Sequence, residues 1–98
     1  MELEIRENII RLYDLYQNLL TEKQRLYFED YYFSDLSISE IALNYNISRN
    51  GVHDQIKRTV NELNELEEKL KLNEKINKIS KLDIDDDNKK NIIDILKV

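Results

Sequence analysis

The sequence predicts an all-α fold: a small helical bundle that contains a helix-turn-helix unit with a long C-terminal helix extension. Three observations support this prediction. The 98 residues include no Pro and only one Gly, so the turn chemistry that sheet folds require is almost absent. Charged residues make up 36% of the chain, and apolar residues recur between them at helical spacing. The length suits one modest core, so we expect a single helical domain over residues 1–98.

The first two helices are predicted over residues 3–20 and 22–32. The first has an apolar face formed by Ile5, Ile9, Leu12, Tyr13, Tyr16, Leu19 and Leu20. Thr21 and Gln24 form a capping box that opens the second helix. The inward face of the second helix is expected to comprise Leu26, Tyr27 and Tyr31, and to a lesser degree Phe28. Exposed rings can stack on bases, but core packing is the favoured interpretation, since large rings on a short helix usually supply buried area.

The stretch Leu36–Arg58 predicts two short helices joined by a tight turn. Ser37 and Glu40 form a second capping box that opens the first of them. Asn46 falls where the chain must reverse, and Asn tolerates the left-handed conformation that such a turn uses. Ser48 is placed to cap the second helix. The residues directed inward are Ile38, Ile41, Ala42, Tyr45, Ile47, Val52 and Ile56. This is the helix-turn-helix pattern, whose second helix can enter a DNA major groove.

The second helix of this unit carries the candidate nucleic-acid contacts. The candidate residues are Ser48, Arg49, Asn50, His53, Asp54, Lys57 and Arg58. Arg49 and Asn50 can make bidentate contacts to base edges, whereas Lys57 and Arg58 can hold phosphates. The same side chains could also be the solvated face of a packed helix, because helix-turn-helix units serve as protein-interaction modules too.

The charge distribution singles out the same segment. The whole chain carries a formal net charge of −5, which counts against indiscriminate binding to phosphates. Residues 1–20, 21–47 and 62–98 are each net negative, whereas residues 48–61 hold three bases against one acid. Because this positive patch is small, a monomer should bind nucleic acid weakly, and we predict a homodimer.

No stop signal follows the helix-turn-helix unit. Its second helix is therefore predicted to run from Arg49 to Leu72, on the order of 35 Å at 1.5 Å per residue. Its far half is expected to pack against the first helix, the C-terminal segment or another copy of the chain. We divide the chain into a helix-turn-helix core, residues 1–72, and a variable C-terminal helical tail, residues 73–98. Residues 73–81 should form a short helix or a loose connection, and the last helix carries Ile92, Ile93, Ile95 and Leu96.

We expect no cofactor, no metal site and no enzymatic activity. The chain lacks Cys, and its only histidine, His53, has no acid–base partner evident in the sequence. Four acids, Asp83, Asp85, Asp87 and Asp94, fall at calcium-loop positions. That loop requires Gly at its sixth position and Glu at its last, which are absent. With no apolar leader and no segment of membrane-spanning length, we expect a cytoplasmic protein without a membrane partner.

The stretch Leu20–Arg58 resembles two families. With the YlxM family of small bacterial proteins it shares LT-x-K-Q, Y-x-x-x-YY, D-L-S-x-x-EIA and ISR-x-x-V-x-D-x-IKRT, and that resemblance extends from about Ile9 to Leu72. More distantly it resembles region four of sigma factors, with T-E-K-Q-R, S-x-x-EIA and IS-x-x-x-V in common. Asn46 stands where the sigma motif usually has Gly.

The resemblance to YlxM implies a small all-helical protein, winged-helix-like or sigma-like, that is commonly dimeric. Members of that family are encoded beside the GTPase of the signal recognition particle, which implies an accessory or regulatory role in protein targeting. Three functions stay open at this point. The chain could be a DNA-binding transcription regulator unrelated to targeting, an accessory factor that binds the particle's RNA or GTPase, or a helical dimerisation module without nucleic-acid binding.

Overall fold

The computed structural model describes residues 2–98, with side chains from Leu3 onward, so the first residue of the predicted domain lies outside the described part. Its helices are α1 (Glu2–Tyr16), a short 3-10 helix (Gln17–Leu19), α2 (Glu22–Tyr32), α3 (Ile38–Tyr45), α4 (Arg49–Leu70), α5 (Leu72–Ser80) and α6 (Asp86–Leu96). No strand occurs within residues 2–98, and the predicted all-α fold is confirmed. None of the helices described is both long and apolar enough to cross a membrane.

Buried apolar side chains form two clusters along a molecule that measures 50 × 25 × 22 Å. The larger cluster comprises Ile9, Leu12, Tyr13, Leu15, Tyr16, Leu20, Phe28, Leu63 and Leu72. The smaller cluster lies between α2 and the helix-turn-helix unit and comprises Tyr27, Ile41, Ala42, Val52 and Ile56. Helix α4 contributes to both clusters and α2 does the same, so these two helices join the helix-turn-helix unit to the rest of the bundle.

Helix α1 is shorter than the predicted span of residues 3–20. The α-helix ends at Tyr16 and continues as a 3-10 turn, in which the amide of Leu20 donates to the carbonyl of Gln17 at 3.1 Å. Two of the predicted inward residues are wrong: Ile5 is 65% exposed and Leu19 is 46% exposed. Ile5 borders an open depression instead of a packed neighbour, and the tighter 3-10 turn moves Leu19 off the 3.6-residue face.

Helix α2 begins and ends where the sequence predicts. Its capping box is complete, since the amide of Gln24 donates to the Thr21 hydroxyl at 3.1 Å and the Thr21 amide donates to the Gln24 side chain at 2.9 Å. The Phe28 ring is fully buried and stacks on Tyr13 with centroids 4.2 Å apart. The aromatic group is therefore mainly core, although Leu26, predicted inward, is largely exposed.

Helix α4 ends two residues before the predicted end at Leu72, so that prediction is wrong. Lys71 adopts a left-handed conformation, with φ 56° and ψ 35°, and Leu72 begins α5. The side chain of Leu72 is buried in the larger cluster. Neither Gly nor Pro marks this break in the sequence.

Contacts from distant residues explain why the chain bends at Lys71. The Tyr16 hydroxyl donates to the Glu67 carboxylate at 2.6 Å and accepts from the amide of Leu72 at 3.0 Å. The same carboxylate accepts from the next amide, that of Asn73, at 3.0 Å. The N-cap residue of α5, Lys71, makes no capping hydrogen bond with its side chain. Tyr16 and Glu67 therefore accept from the free amides of the first turn of α5 instead. We call this arrangement of Tyr16, Glu67, Lys71 and Leu72 the α4–α5 joint.

The C-terminal helices α5 and α6 pack on each other and on the α1 end of the bundle. Half-buried Ile76 and Leu96 contact the larger cluster. Asn18 donates to the carbonyl of Val98 at 2.9 Å, which fastens the end of the chain beside the 3-10 turn. Ile95 is 81% exposed, so α6 buries only part of its apolar content. The far half of α4 packs on α1, as one of the predicted alternatives stated.

Candidate nucleic-acid interface

The turn of the helix-turn-helix unit has the geometry that its sequence predicts. Ser37 and Glu40 complete the capping box of α3, each side chain accepting from the other's amide at 3.1 Å. Asn46 ends α3 in the left-handed conformation, with φ 54° and ψ 47°. The amide of Ile47 then donates to the carbonyl of Ala42 at 3.0 Å, which closes the turn. This short connection fixes the direction in which α4 begins.

Helix α4 is capped at its start and anchored along its inner side. The Ser48 hydroxyl accepts from the amide of Gly51 at 3.0 Å. A Cβ atom at position 51 would lie 3.1 Å from that hydroxyl, so glycine leaves room for the cap. Val52 and Ile56 are buried against Ile41 of α3. The opposite side of α4 must therefore face outward.

The structure places all seven candidate residues on that exposed side, and we call them the contact strip: Ser48, Arg49, Asn50, His53, Asp54, Lys57 and Arg58. None of its three cationic side chains forms an ion pair with another side chain in the described part of the chain. Within the strip, the imidazole Nδ1 of His53 lies 3.9 Å from the Asp54 Oδ1, and both side chains are exposed. The strip therefore presents three unneutralised bases against one acid.

A shallow open depression of about 460 Å³ lies where α3 and α4 begin. It is lined by Ile38 of α3 and by Ser48, Arg49, Asn50 and His53 of the contact strip. A guanidinium and an amide at the border of such a depression can hydrogen-bond to a phosphate or to the edge of a base. The geometry thus brings together the residues to which the sequence assigns base reading.

Arg6 holds the segment that leads into α3, a role that its sequence pattern does not predict. Its guanidinium donates to the carbonyl of Tyr32 at 2.7 Å and to the carboxylate of Asp35 at 3.4 Å. Asp35 has a positive φ of 54°, so this contact fixes an unusual backbone conformation just before the helix-turn-helix unit. The partners lie 26 and 29 residues away, and no local pattern in the sequence signals them.

Tyr45 fastens the other end of α3 to α2. Its ring packs edge-on against Tyr27, with centroids 4.9 Å apart, and its hydroxyl donates to the Asp30 carboxylate at 2.8 Å. That hydrogen bond raises the pKa of Tyr45 above its ordinary value. The predicted inward position is thus only partly right, because the ring is buried at one edge while the hydroxyl stays near the surface.

Within the described residues, no group of three or more His, Cys, Asp or Glu side chains is placed to hold a metal ion. The four acids that fall at calcium-loop positions are all exposed. Asp86 and Asp87 lie in the first turn of α6, where acidic side chains stabilise a helix through its dipole.

Comparison with known proteins shows which family the chain resembles. The family described as "Putative helix-turn-helix protein, YlxM / p13 like" matches residues 3–97. A UPF0122 protein of Malacoplasma penetrans is 54% identical over 70 residues, which cover 71% of this chain and 64% of that protein. A UPF0122 protein of Halalkalibacterium halodurans is 52% identical over 71 residues, 72% of this chain and 65% of that protein.

A third relative, a UPF0122 protein of Shouchella clausii, is 55% identical over 64 residues, which cover 65% of this chain and 59% of that protein. The chain thus spans less than two thirds of the length of these three relatives. The three matched stretches, of 64 to 71 residues, are about as long as the helix-turn-helix core of residues 1–72. The family match is longer and extends through α6. The chain belongs to the UPF0122 family of YlxM/p13-like helix-turn-helix proteins.

Proposed function

We propose that this chain is a nucleic-acid-binding regulatory protein of the helix-turn-helix type, and that it acts as an accessory of the signal recognition particle. One observation carries the proposal. Of the four segments 1–20, 21–47, 48–61 and 62–98, only residues 48–61 are net positive, and their three cations lie on the exposed side of α4 without an ion-pair partner among the described side chains. Unpaired cations on a helix that can enter a groove favour contact with phosphates.

The residues of the contact strip divide by their position along α4. Arg49 and Asn50 lie in the first turn, beside the depression, and read base edges. Lys57 and Arg58 lie two turns later and hold phosphates. Asp54 sits between these pairs, where a carboxylate repels phosphates and can accept from the amino group of a cytosine. A strip of mixed charge favours selective over indiscriminate binding.

The family resemblance and the shapes of nucleic-acid grooves support the proposed target. The resemblance to YlxM proteins points to the RNA or the GTPase of the signal recognition particle. The deep, narrow major groove of an RNA helix does not admit an α-helix, so an RNA target would be contacted at loops, bulges or across the minor groove. A DNA target would instead accept α4 in its major groove.

Self-association as a homodimer completes the proposal. The contact strip of one copy offers three cations, which is few for useful affinity at physiological salt. Two linked copies present two strips to the same nucleic acid, and the second contact becomes intramolecular. The dimer therefore raises the affinity without any change in the strip itself.

A binding titration at two salt concentrations tests the proposal. The two phosphate contacts of one copy, from Lys57 and Arg58, predict a slope of log K against log salt of about −1.8 on duplex DNA, so a fourfold rise in salt weakens binding by about 12-fold. The double variant Arg49→Ala/Lys57→Ala should lose most of the binding. The control Lys69→Ala/Lys75→Ala removes the same charge from exposed positions outside the strip and should keep it.

The titration should use duplex DNA pools, the particle's RNA and the purified particle GTPase in parallel. Salt-dependent binding to the RNA, lost in the strip variant alone, supports the proposal. Binding to DNA alone would indicate a transcription regulator unrelated to targeting. Capture by the GTPase that is insensitive to the strip variant, or no binding at all, would contradict the nucleic-acid mechanism and leave a protein-interaction module.

A further inference from the structure

The α4–α5 joint connects two helices through a single residue in an unfavourable conformation. Three non-glycine residues among those described have a positive φ: Asp35, Asn46 and Lys71. Asp and Asn tolerate the left-handed region comparatively well, whereas Lys does not. The conformation of Lys71 is therefore imposed by its surroundings rather than by its own preference.

The local sequence favours a straight helix at this point. With Lys71 in the helical region, α4 and α5 would form one helix from Arg49 to Ser80, about 48 Å long at 1.5 Å per residue. The amides of Leu72 and Asn73, which now donate to Tyr16 and Glu67, would donate to backbone carbonyls of α4 instead. The same donors are thus satisfied in the bent and in the straight form, so the caps from Tyr16 and Glu67 permit the bend, and the packing around the joint decides between the two forms.

The packing that holds the bend does not need to come from the same chain. Leu72, Ile76 and Leu96 cover one end of the larger cluster. Asn18 meets the end of the chain at Val98. A straight α4–α5 helix would withdraw these groups from their own cluster and offer them to the same site on a second copy.

We propose that Lys71 is the hinge of an exchanged dimer, in which α5 and α6 of one chain pack on α1 of a second copy of this chain. Each copy receives the contacts that it gives up, and both chains lose the unfavourable conformation at Lys71. Short strained hinges are the places at which identical segments exchange between copies. The inference deepens the proposed self-association but does not rest on nucleic-acid binding.

Two substitutions at the hinge separate the two forms. Lys71→Gly favours the bent form because glycine adopts a positive φ readily. Lys71→Ala favours the straight helix. Both remove the same ammonium group and its 3.9 Å approach to Glu74, so each serves as the control for the other. Sedimentation equilibrium should give a dimer dissociation constant at least about tenfold lower for Lys71→Ala than for Lys71→Gly.

A cross-linking experiment shows whether the dimer is exchanged. The chain contains no Cys, so Asn18→Cys and Val98→Cys can be introduced singly into two chains carrying different tags. The two proteins are unfolded, refolded together and treated with a short bismaleimide. A cross-link between the two tags, stronger in the Lys71→Ala background than in the Lys71→Gly background, supports exchange. The same mixture made from separately folded proteins is the control.

Three results would contradict the proposal that Lys71 is a hinge for exchange. These are equal dissociation constants for the two Lys71 variants, strict monomers in both, or a dimer without the cross-link. The second result would also contradict the proposed homodimer, whereas the other two leave it standing. Loss of nucleic-acid binding in every variant, with the hinge effect intact, would contradict the proposed function alone.

Discussion

Truncating Val52 to Ala should destabilise the protein without touching the contact strip. Val52 is fully buried in the smaller cluster, where it faces Ile41 and Ala42. The substitution removes two methyl groups, which cost about 0.8 kcal/mol each in lost burial, and leaves a cavity that adds to the loss. We therefore expect the free energy of unfolding to fall by about 2–3 kcal/mol.

Urea denaturation followed by far-UV circular dichroism measures this loss, with the m-value unchanged if the transition stays two-state. The melting temperature should fall by about 10–20 °C for a chain of this size. Lys57→Ala is the matched control: it lies further along the same helix but is exposed, so its stability should change by less than about 0.5 kcal/mol. If Val52→Ala cost no more than this control, α4 would not be anchored as described.

Three further predictions concern the caps, the turn and the joint. Ser48→Ala should cost about 1 kcal/mol of unfolding free energy, because it removes the acceptor for the Gly51 amide, whereas Ser48→Asp should retain most of it. Asn46→Ala should cost about 1 kcal/mol, because Ala is strained at a φ of 54°, while Asn46→Gly should stay near the wild-type value; both follow from urea denaturation. Burial and the hydrogen bond to Glu67 raise the pKa of Tyr16 to about 12. The folded state favours the protonated hydroxyl of Tyr16, so the stability that this hydroxyl contributes is complete below pH 10 and is lost as the pH rises toward 12. A rise of two units in its pKa corresponds to about 3 kcal/mol. Denaturation of the wild type and of Tyr16→Phe from pH 8 to pH 12 should therefore show a stability difference that shrinks above pH 10.

Each of these predictions has an outcome that contradicts it. Equal stability of Ser48→Ala and the wild type would mean that the cap does not form in solution. A strong loss in Asn46→Gly would indicate that the Asn side chain, rather than the backbone, holds the turn. A constant difference between Tyr16→Phe and the wild type across the alkaline range would show that the hydroxyl of Tyr16 is not held in its protonated form.

The helix-turn-helix unit was predictable because its determinants are local. Ser37 and Glu40 are three residues apart, and so are Ser48 and the amide that it caps. The turn at Asn46 depends mainly on the conformational tolerance of one residue type. These signals lie within one or two helical turns, so the sequence predicts both helices and the buried face that they share.

The end of α4 and the position of Arg6 could not be predicted because their determinants are distant. Tyr16 and Glu67 are 51 residues apart, and together they supply the caps that let the helix break at Lys71. The partners of Arg6 are likewise known only once α1 lies beside the end of α2. In both cases tertiary contacts override the local preference for a longer helix or an outward side chain.

The exposure of the contact strip was predictable, but its target was not. Helical periodicity fixes which side of α4 is buried and therefore which side faces out. Arg, Asn and Lys side chains can serve DNA, RNA or a protein surface, and their exposure alone does not choose among these. The choice depends on the shape of the partner.

Chemical-shift mapping by NMR tests the central claim most directly. An isotope-labelled chain is titrated with the nucleic acid that binds most tightly in the salt-dependent assay. The largest amide shifts should fall on residues 48–58, with smaller shifts at the start of α3. Shifts confined to α5 and α6, or spread over the surface without a maximum on the contact strip, would contradict it.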